Sequence, residues 1–459
     1  MKNNIQLYIS YLISFGLITL TGNQCLAKDL YVSLEGSDAV SYEANSLDTP
    51  WKTIMHGVFN VKAGDTLHIR GGTYRPEYTM YLRNDYANKN YGGNPAETMN
   101  AESGTSINPV VITQYKKERV IIDLDAIKQF AAIDNKDYWT FKNLTFINTG
   151  IAFILGENVK AHHITFDGLK LYAKYYSDNS APIKINSDLA EYTTIKNCVI
   201  KGATSDDGVW TVSGIFARRV RNLTITNNVI TTGTQGIYYK HSTIKQSDTA
   251  APLSITISNN YLDDFHYAAM NLNTIGAVIN NNIIGPTGGS IKVNEASGSP
   301  GGDLNTFDHN TLINGTIILK AETQREDNST PGANKNIITN NVLTHKMKIH
   351  EYQSTWGVAD HETTSNYNLF ANNGAVSENG VDHSLPSWQQ TSGEDANSLQ
   401  ATPLHKEGAS PSFFIEYSLG ATSIGYRSAQ DGSDIGANSS TVGPVGYFNS
   451  PKAPIVGTQ

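Results

Sequence analysis

Arg218 and Lys240 each stand four residues after a glycine, Gly214 and Gly236, and both segments begin Gly-Ile. Comparable short segments are Pro182-Ile-Lys-Ile, Ser290-Ile-Lys-Val and Gly315-Thr-Ile-Ile. If these are strands with Ile183, Ile215, Ile237, Ile291 and Ile317 pointing inward, alternation turns Lys184, Phe216, Tyr238, Lys292 and Ile318 outward. Two residues further on, Asn186, Arg218, Lys240, Asn294 and Lys320 also face out. Setting Met270 and Leu272 inward adds Asn271 and Asn273. Strands pair about 4.8 Å apart, which makes Arg218, Lys240 and Asn273 direct neighbours. On a chain of net charge −8 this is a local basic, amide-rich stripe. Any one of these residues alone reads as a solvated side chain whose stem covers the sheet. Their gathering on one face is what points to an acidic ligand.

Such a stripe suits β-elimination on a uronate polymer. That reaction needs the carboxylate neutralised, the C5 proton removed, and a route for the departing 4-oxygen. Fixed cations and amides supply the first by preorganised electrostatics. A lysine beside another cation has its charged form disfavoured and so makes a better base, the arrangement expected of Lys240 next to Arg218. Lys184, Asn271, Asn273, Lys292, Asn294 and Lys320 would hold the polymer. His241 or Tyr238 can protonate the leaving oxygen, or Tyr238 can stack on a sugar ring, whereas Tyr239 is inward by parity and belongs to the core.

Two other classes compete. A glycoside hydrolase needs two carboxyl groups about 5–9.5 Å apart. The available groups are Asp206-Asp207, Asp263-Asp264, Glu295 and Glu322, although acidic doublets in turns are commonly turn formers. A binding-only solenoid or adhesin is favoured if the stripe is flat, because catalytic sites are concave. His266 lies beside Asp263-Asp264 without a compelling spacing. Asp360-His361-Glu362 and His162-His163 lack the spacing of a helical zinc site.

The elements that would position the stripe repeat along the chain. Thr140-Phe-Lys-Asn-Leu144, Thr165-Phe-Asp-Gly-Leu169, Thr194-Ile-Lys-Asn-Cys198, Thr224-Ile-Thr-Asn-Asn228 and Thr256-Ile-Ser-Asn-Asn260 are followed by segments ending at Asn282, Asn310 and Asn341. The last residues stand 22 to 32 apart, too close for four-stranded propeller blades and right for solenoid coils. We read an all-β, right-handed parallel β-helix. Asn228, Asn260, Asn282, Asn310 and Asn341 would stack in an amide ladder, and Cys198 shares their column as a small buried side chain.

Thr49-Pro50 can start a capping helix with Trp51, Ile54, Val58 and Val61 on its apolar side. A terminal coil otherwise exposes its core and strand edges. The repeats divide the chain into 28–107 (cap and a Tyr- and Asn-rich insertion), 108–380 (β-helix) and 381–459 (a tail folding back).

Composition agrees with β structure: 39% hydrophobic, 17% charged, with 39 Gly and 24 Tyr. The acidic balance argues against nucleic acid as a partner. Lys2, the apolar run Ile5 to Leu20 and Cys25-Leu26-Ala27 read as a signal peptide over 1–27. A secreted or periplasmic monomer is therefore expected. Gly22-Asn23-Gln24 is a poor context for lipidating Cys25, and no later run reaches the roughly 18 apolar residues of a membrane-spanning helix. Cleavage leaves Cys198 alone, without a disulfide partner.

Tyr31-Val-Ser33, Trp51-Lys-Thr-Ile54, Ala63-Gly-Asp-Thr-Leu-His-Ile-Arg-Gly-Gly-Thr-Tyr74, Ser103-Gly-Thr105, Asn108-Pro109 and Asp434-Ile-Gly-Ala437 together resemble the secreted β-helix carbohydrate-active enzymes of the pectate lyase-like superfamily. That superfamily holds lyases, hydrolases, epimerases and adhesins, so fold alone does not give function. Ser205-Asp206-Asp207-Gly208 and Gly236-Ile-Tyr-Tyr-Lys240 are similar to segments of the family 9 polysaccharide lyases. The resemblance implies calcium at Asp206 and Asp207 and proton abstraction by Lys240. Here Val209-Trp210 follow where the family has an aromatic and a further Asp, Pro182 to Asn186 holds no Asp, and the family's lysine sits two residues after the glycine, not four.

Overall fold

The computed structural model describes residues 27–82, 100–125, 127, 129–156, 160–204, 210–240, 253–295, 302–321, 335–352, 362–371, 375–378, 380–406 and 417–444. The expected signal peptide lies almost wholly outside them, as do Asp206, Asp207 and His241.

Each coil contributes strands to three faces of a right-handed parallel β-helix. The first face is, among the described residues, a parallel sheet of 12 strands from Asp29–Val32 to Thr364–Asn366. Its coils repeat one pattern: Ile195 lies beside Ile225 and Ile225 beside Ile257, all buried, while Thr194, Thr224 and Thr256 face out in register. β-Branched residues suit such a half-buried pleated surface. Among the described residues the second and third faces join into one 22-stranded sheet. They join because two 12-residue strands, Val229–Lys240 and Tyr261–Leu272, run across the corner between them. Inward Ile, Leu, Val and Phe form one core along the axis, each buried side chain contributing about 1.5–3 kcal/mol.

The corner between the first two faces is a one-residue left-handed bend. Asn143, Asn197, Asn227, Asn259, Asn281 and their counterparts in later coils hold φ of 53° to 58°, which Asn tolerates better than most residues. The next residue is the ladder expected from sequence. Asn228 Nδ2 donates to Asn260 Oδ1 at 2.9 Å, Asn260 to Asn282 at 3.0 Å, Asn282 to Asn310 at 3.0 Å and Asn310 to Asn341 at 3.0 Å. It continues to Asn368 and ends on Asp395, which also receives Ser398 Oγ and Trp388 Nε1. Burial pushes the Asp395 carboxyl up despite these donors. Cys198 opens the column: its N–H donates to Asn228 Oδ1, and burial raises its thiol to about 12.

The N-terminal cap differs from expectation in its start. The helix is Ile54–Asn60, with Thr53 as N-cap accepting from His56 N. Trp51 is not helical. It is buried in an extended bridge to Val32, and two Thr53 donors to Asp38 fix the entry further on. The stack of strands also begins before Asn108, since Asp29–Val32 pairs with Thr66–Ile69 and that strand with Val110–Gln114. At the other end Leu385–Ser392 buries Leu385 and Trp388 over the last coils, and Leu399–Gln400 still pairs with Leu369–Phe370. Residues 417–444 lie against the second face. Ala437 N donates to Thr311 Oγ1, and Gly436 (φ 88°) approaches so closely that a Cβ would sit 2.6 Å from Val342. No helix among the described residues is long and apolar enough to cross a membrane.

Candidate functional site

The third face carries the stripe, and parity holds along it. Ile183, Ile215, Ile237, Met270, Leu272, Ile291 and Ile317 are buried. Lys184 pairs in register with Phe216, Phe216 with Tyr238, Tyr238 with Asn271 and Asn271 with Lys292. In the second column Arg218 is directly beside Lys240, and Asn294 beside Lys320. Arg218 Nη1 donates to Asn186 Oδ1 at 3.4 Å, which ties two adjacent coils together on the outward side. Asn273 follows the end of its strand and is 5% exposed, so its amide is enclosed at this site rather than offered to water. Tyr239 is core, its hydroxyl donating to Val220 O at 2.7 Å.

A second outward residue, Phe216, is also shielded from water. Phe216 is only 1% exposed although it lies outside the main core. It is covered by the Lys184 ammonium, 5.5 Å from the ring centroid, and by Tyr238 packed edge-on at 5.5 Å and 77°. The stripe therefore has an apolar floor under its cations, where their interactions are less screened than in water.

An aromatic cluster that sequence reading did not assemble stands at the strand-entry side. Trp210, half-exposed, stacks on His266 with centroids 6.0 Å apart and meets Tyr267 at 5.4 Å. The Lys292 ammonium lies 3.4 Å from the Tyr267 centroid, a cation–π contact. The Gln235 amide hydrogen-bonds the Trp210 carbonyl and holds the cluster to the sheet. An exposed ring beside a lysine can pack on a sugar face while the ammonium meets a carboxylate.

The described carboxyl pair, Asp263-Asp264, is engaged by neighbouring donors. Asp263 Oδ1 accepts from Thr287 N, Thr287 Oγ1 and Asp264 N, while Oδ2 accepts from Tyr261. Asp264 Oδ2 is taken by Thr232. Both are turn staples. Of the other groups considered, Glu322 lies outside the described residues and Glu295 is described only as backbone. The described residues contain no group of three His, Cys, Asp or Glu able to hold a metal. The strand Ile183–Ile185 carries Lys184, a cation, and no carboxylate. The expected calcium ligands Asp206 and Asp207 lie outside the described residues.

The fold is a right-handed parallel β-helix with a basic outer stripe on one face. Residues 30–200 match the family described as "Pel9A-like, right handed beta helix region", a stretch that ends before Arg218 and Lys240. The chain is 32% identical over 138 residues to pectate lyase PEL9 of Emericella nidulans. That match covers 27% of this chain and 28% of the relative's length. The crystal structure of pectate lyase Pel9A superposes with a TM-score of 0.51 over 89% of this chain and 96% of that one, at 14% identity, which establishes likeness of fold.

Proposed function

We propose that this chain is an exported polysaccharide lyase that cleaves an acidic, uronate-containing polymer by β-elimination on the third face. Arg218 pairs with the carboxylate of the sugar to be cleaved and so acidifies its C5–H. Lys240 Nζ, on the adjacent coil, takes that proton. The C5–H electron pair becomes the C4=C5 double bond, the C4–O bond breaks, and the departing oxygen takes a proton from Tyr238, His241 or water. Lys184 and Lys292 extend the anion-binding column, and Trp210 and Tyr267 offer a surface for a neighbouring sugar.

The observation that carries this reading is the Arg218–Lys240 register pair, with Asn186 bonded to the guanidinium. The pectate lyases PEL9 and Pel9A, which this chain resembles, support the same class. The test is incubation with polygalacturonate, alginate and neutral glycans, following ultraviolet absorbance of unsaturated uronate ends. Lys240→Ala should lower the rate about 10²- to 10⁴-fold with folding intact. Reducing ends without that absorbance, or full activity in Lys240→Ala, would overturn the assignment.

A further inference from the structure

The first face has a concavity that the stripe does not use. A trough of about 400 Å³ runs along the helix axis between two outward columns. One wall is a file of hydroxyls, with Thr140 beside Thr165, Thr165 beside Thr194 and Thr194 beside Thr224. The other is a pile of rings. His163 lies between Tyr138 (centroids 4.2 Å apart, 10° between planes) and Tyr192 (4.6 Å, 6°).

These three aromatic residues hold φ of 56°, 59° and 57°. That left-handed conformation is easy for Asn, which occupies the same place one coil on as Asn222, and costly for bulky side chains. The rings are thus kept in line against local preference. His163 Nδ1 is buried without a hydrogen-bond partner. Among the described residues no protein group takes the hydroxyls of the four threonines or of Tyr138 and Tyr192. Charge is nearly absent from the walls. The adjoining charged column pairs with itself, Asp167 lying 3.6 Å from Lys142 and 3.9 Å from Lys196.

Uncharged hydroxyls facing aromatic rings complement the hydroxyls and C–H faces of an uncharged sugar chain, and offer little to a polyanion. Coils repeat about every 4.8 Å, near the advance of one pyranose along an extended glycan, so the trough presents roughly one threonine hydroxyl per sugar. We propose that it is a second glycan site, separate from the third face, which binds an extended neutral oligosaccharide lengthwise. This does not depend on the lyase reading.

The test is calorimetric titration of the full chain with cellohexaose, xylohexaose and the hexamers of neutral galactan and arabinan, at low and high salt, beside hexagalacturonate. At least one neutral hexamer should bind, with an affinity indifferent to salt. Thr194→Val, which keeps shape and strand preference, should weaken it about two- to tenfold. Tyr192→Ala should weaken it about tenfold, and neither should alter hexagalacturonate binding. The proposal is overturned if no neutral hexamer binds, if Thr194→Val and a folded Tyr192→Ala both keep full affinity, or if hexagalacturonate displaces the neutral ligand in a salt-sensitive way.

Discussion

Replacing Asn260 by alanine removes one amide from the middle of the ladder, and its cost can be worked from the bonds it makes. The fully buried side chain accepts from Asn228 N at 3.0 Å and Asn228 Nδ2 at 2.9 Å, and donates to Ile225 O at 2.9 Å and Asn282 Oδ1 at 3.0 Å. Alanine leaves the Asn228 N–H sealed without an acceptor, at about 1–3 kcal/mol, and deletes three further bonds at about 0.5–1.5 kcal/mol each. With a small cavity added, the loss is about 3–8 kcal/mol. Serine is the informative comparison, because Ser398 Oγ already accepts from Asn368 N at 2.8 Å in the last rung. Asn260→Ser should therefore keep the Asn228 N–H satisfied and cost about half as much. Urea unfolding measures both variants, and hydrogen exchange of the Asn228 amide reads the rung directly. If alanine costs under about 1 kcal/mol, or serine costs as much as alanine, the ladder bonds are not what holds this corner.

Lys292→Ala and Lys320→Ala should each weaken polyuronate binding and flatten its salt dependence, since they remove charges that salt screens over about 8 Å; titration at two salt concentrations checks this, and unchanged affinity in both would move the ligand off the third face. His309 should make stability fall as pH rises. Burial pulls its pKa down, but the hydrogen bond and charge of Asp308, with Asp431 beyond, outweigh it and hold the imidazole above its ordinary value. A raised folded pKa stabilises below the ordinary value near 6.5 and is lost as pH climbs through the folded one. His309→Asn, the residue found at the equivalent bends Asn259 and Asn281, should flatten thermal melts across that window, and a wild-type slope retained in the variant would refute it. Cys198 should resist thiol reagents in the native protein and react on unfolding, because burial keeps it a thiol.

Much of this architecture could be read before any coordinates because one residue per coil is forced. The left-handed bend followed by a buried amide leaves Asn-Asn at 227–228, 259–260 and 281–282, and that pair sets the period. Strand parity then placed Lys184, Arg218, Tyr238, Lys240 and Lys292 together. The helix start was misjudged because Thr49-Pro50 and Thr53 both offer N-cap chemistry, and the Trp51 bridge to Val32 decides between them. The Trp210–His266–Tyr267 cluster was missed for another reason. Trp210 precedes its strand and belongs to a different coil from His266 and Tyr267, so no local spacing brings them together. Tyr138, His163 and Tyr192 did carry a signal, 25 and 29 residues apart like the coils themselves, but their rings stand outside the alternation that identifies strands.

The ladder also gives the solenoid an electrical sense. From Asn228 to Asn341 each side-chain Nδ2 donates toward the following coil, so the amide dipoles add along the axis as peptide dipoles add along a helix, with the positive pole at the C-terminal end. Asp395 sits against that pole, receiving Asn368 Nδ2, as a carboxylate sits at a helix N-terminus. The pole offsets part of the penalty of burying an acid there, and it closes a column whose last donor would otherwise face the core. Lengthening by duplicated coils preserves this polarity only when they are inserted in the same orientation, so the column grows head-to-tail.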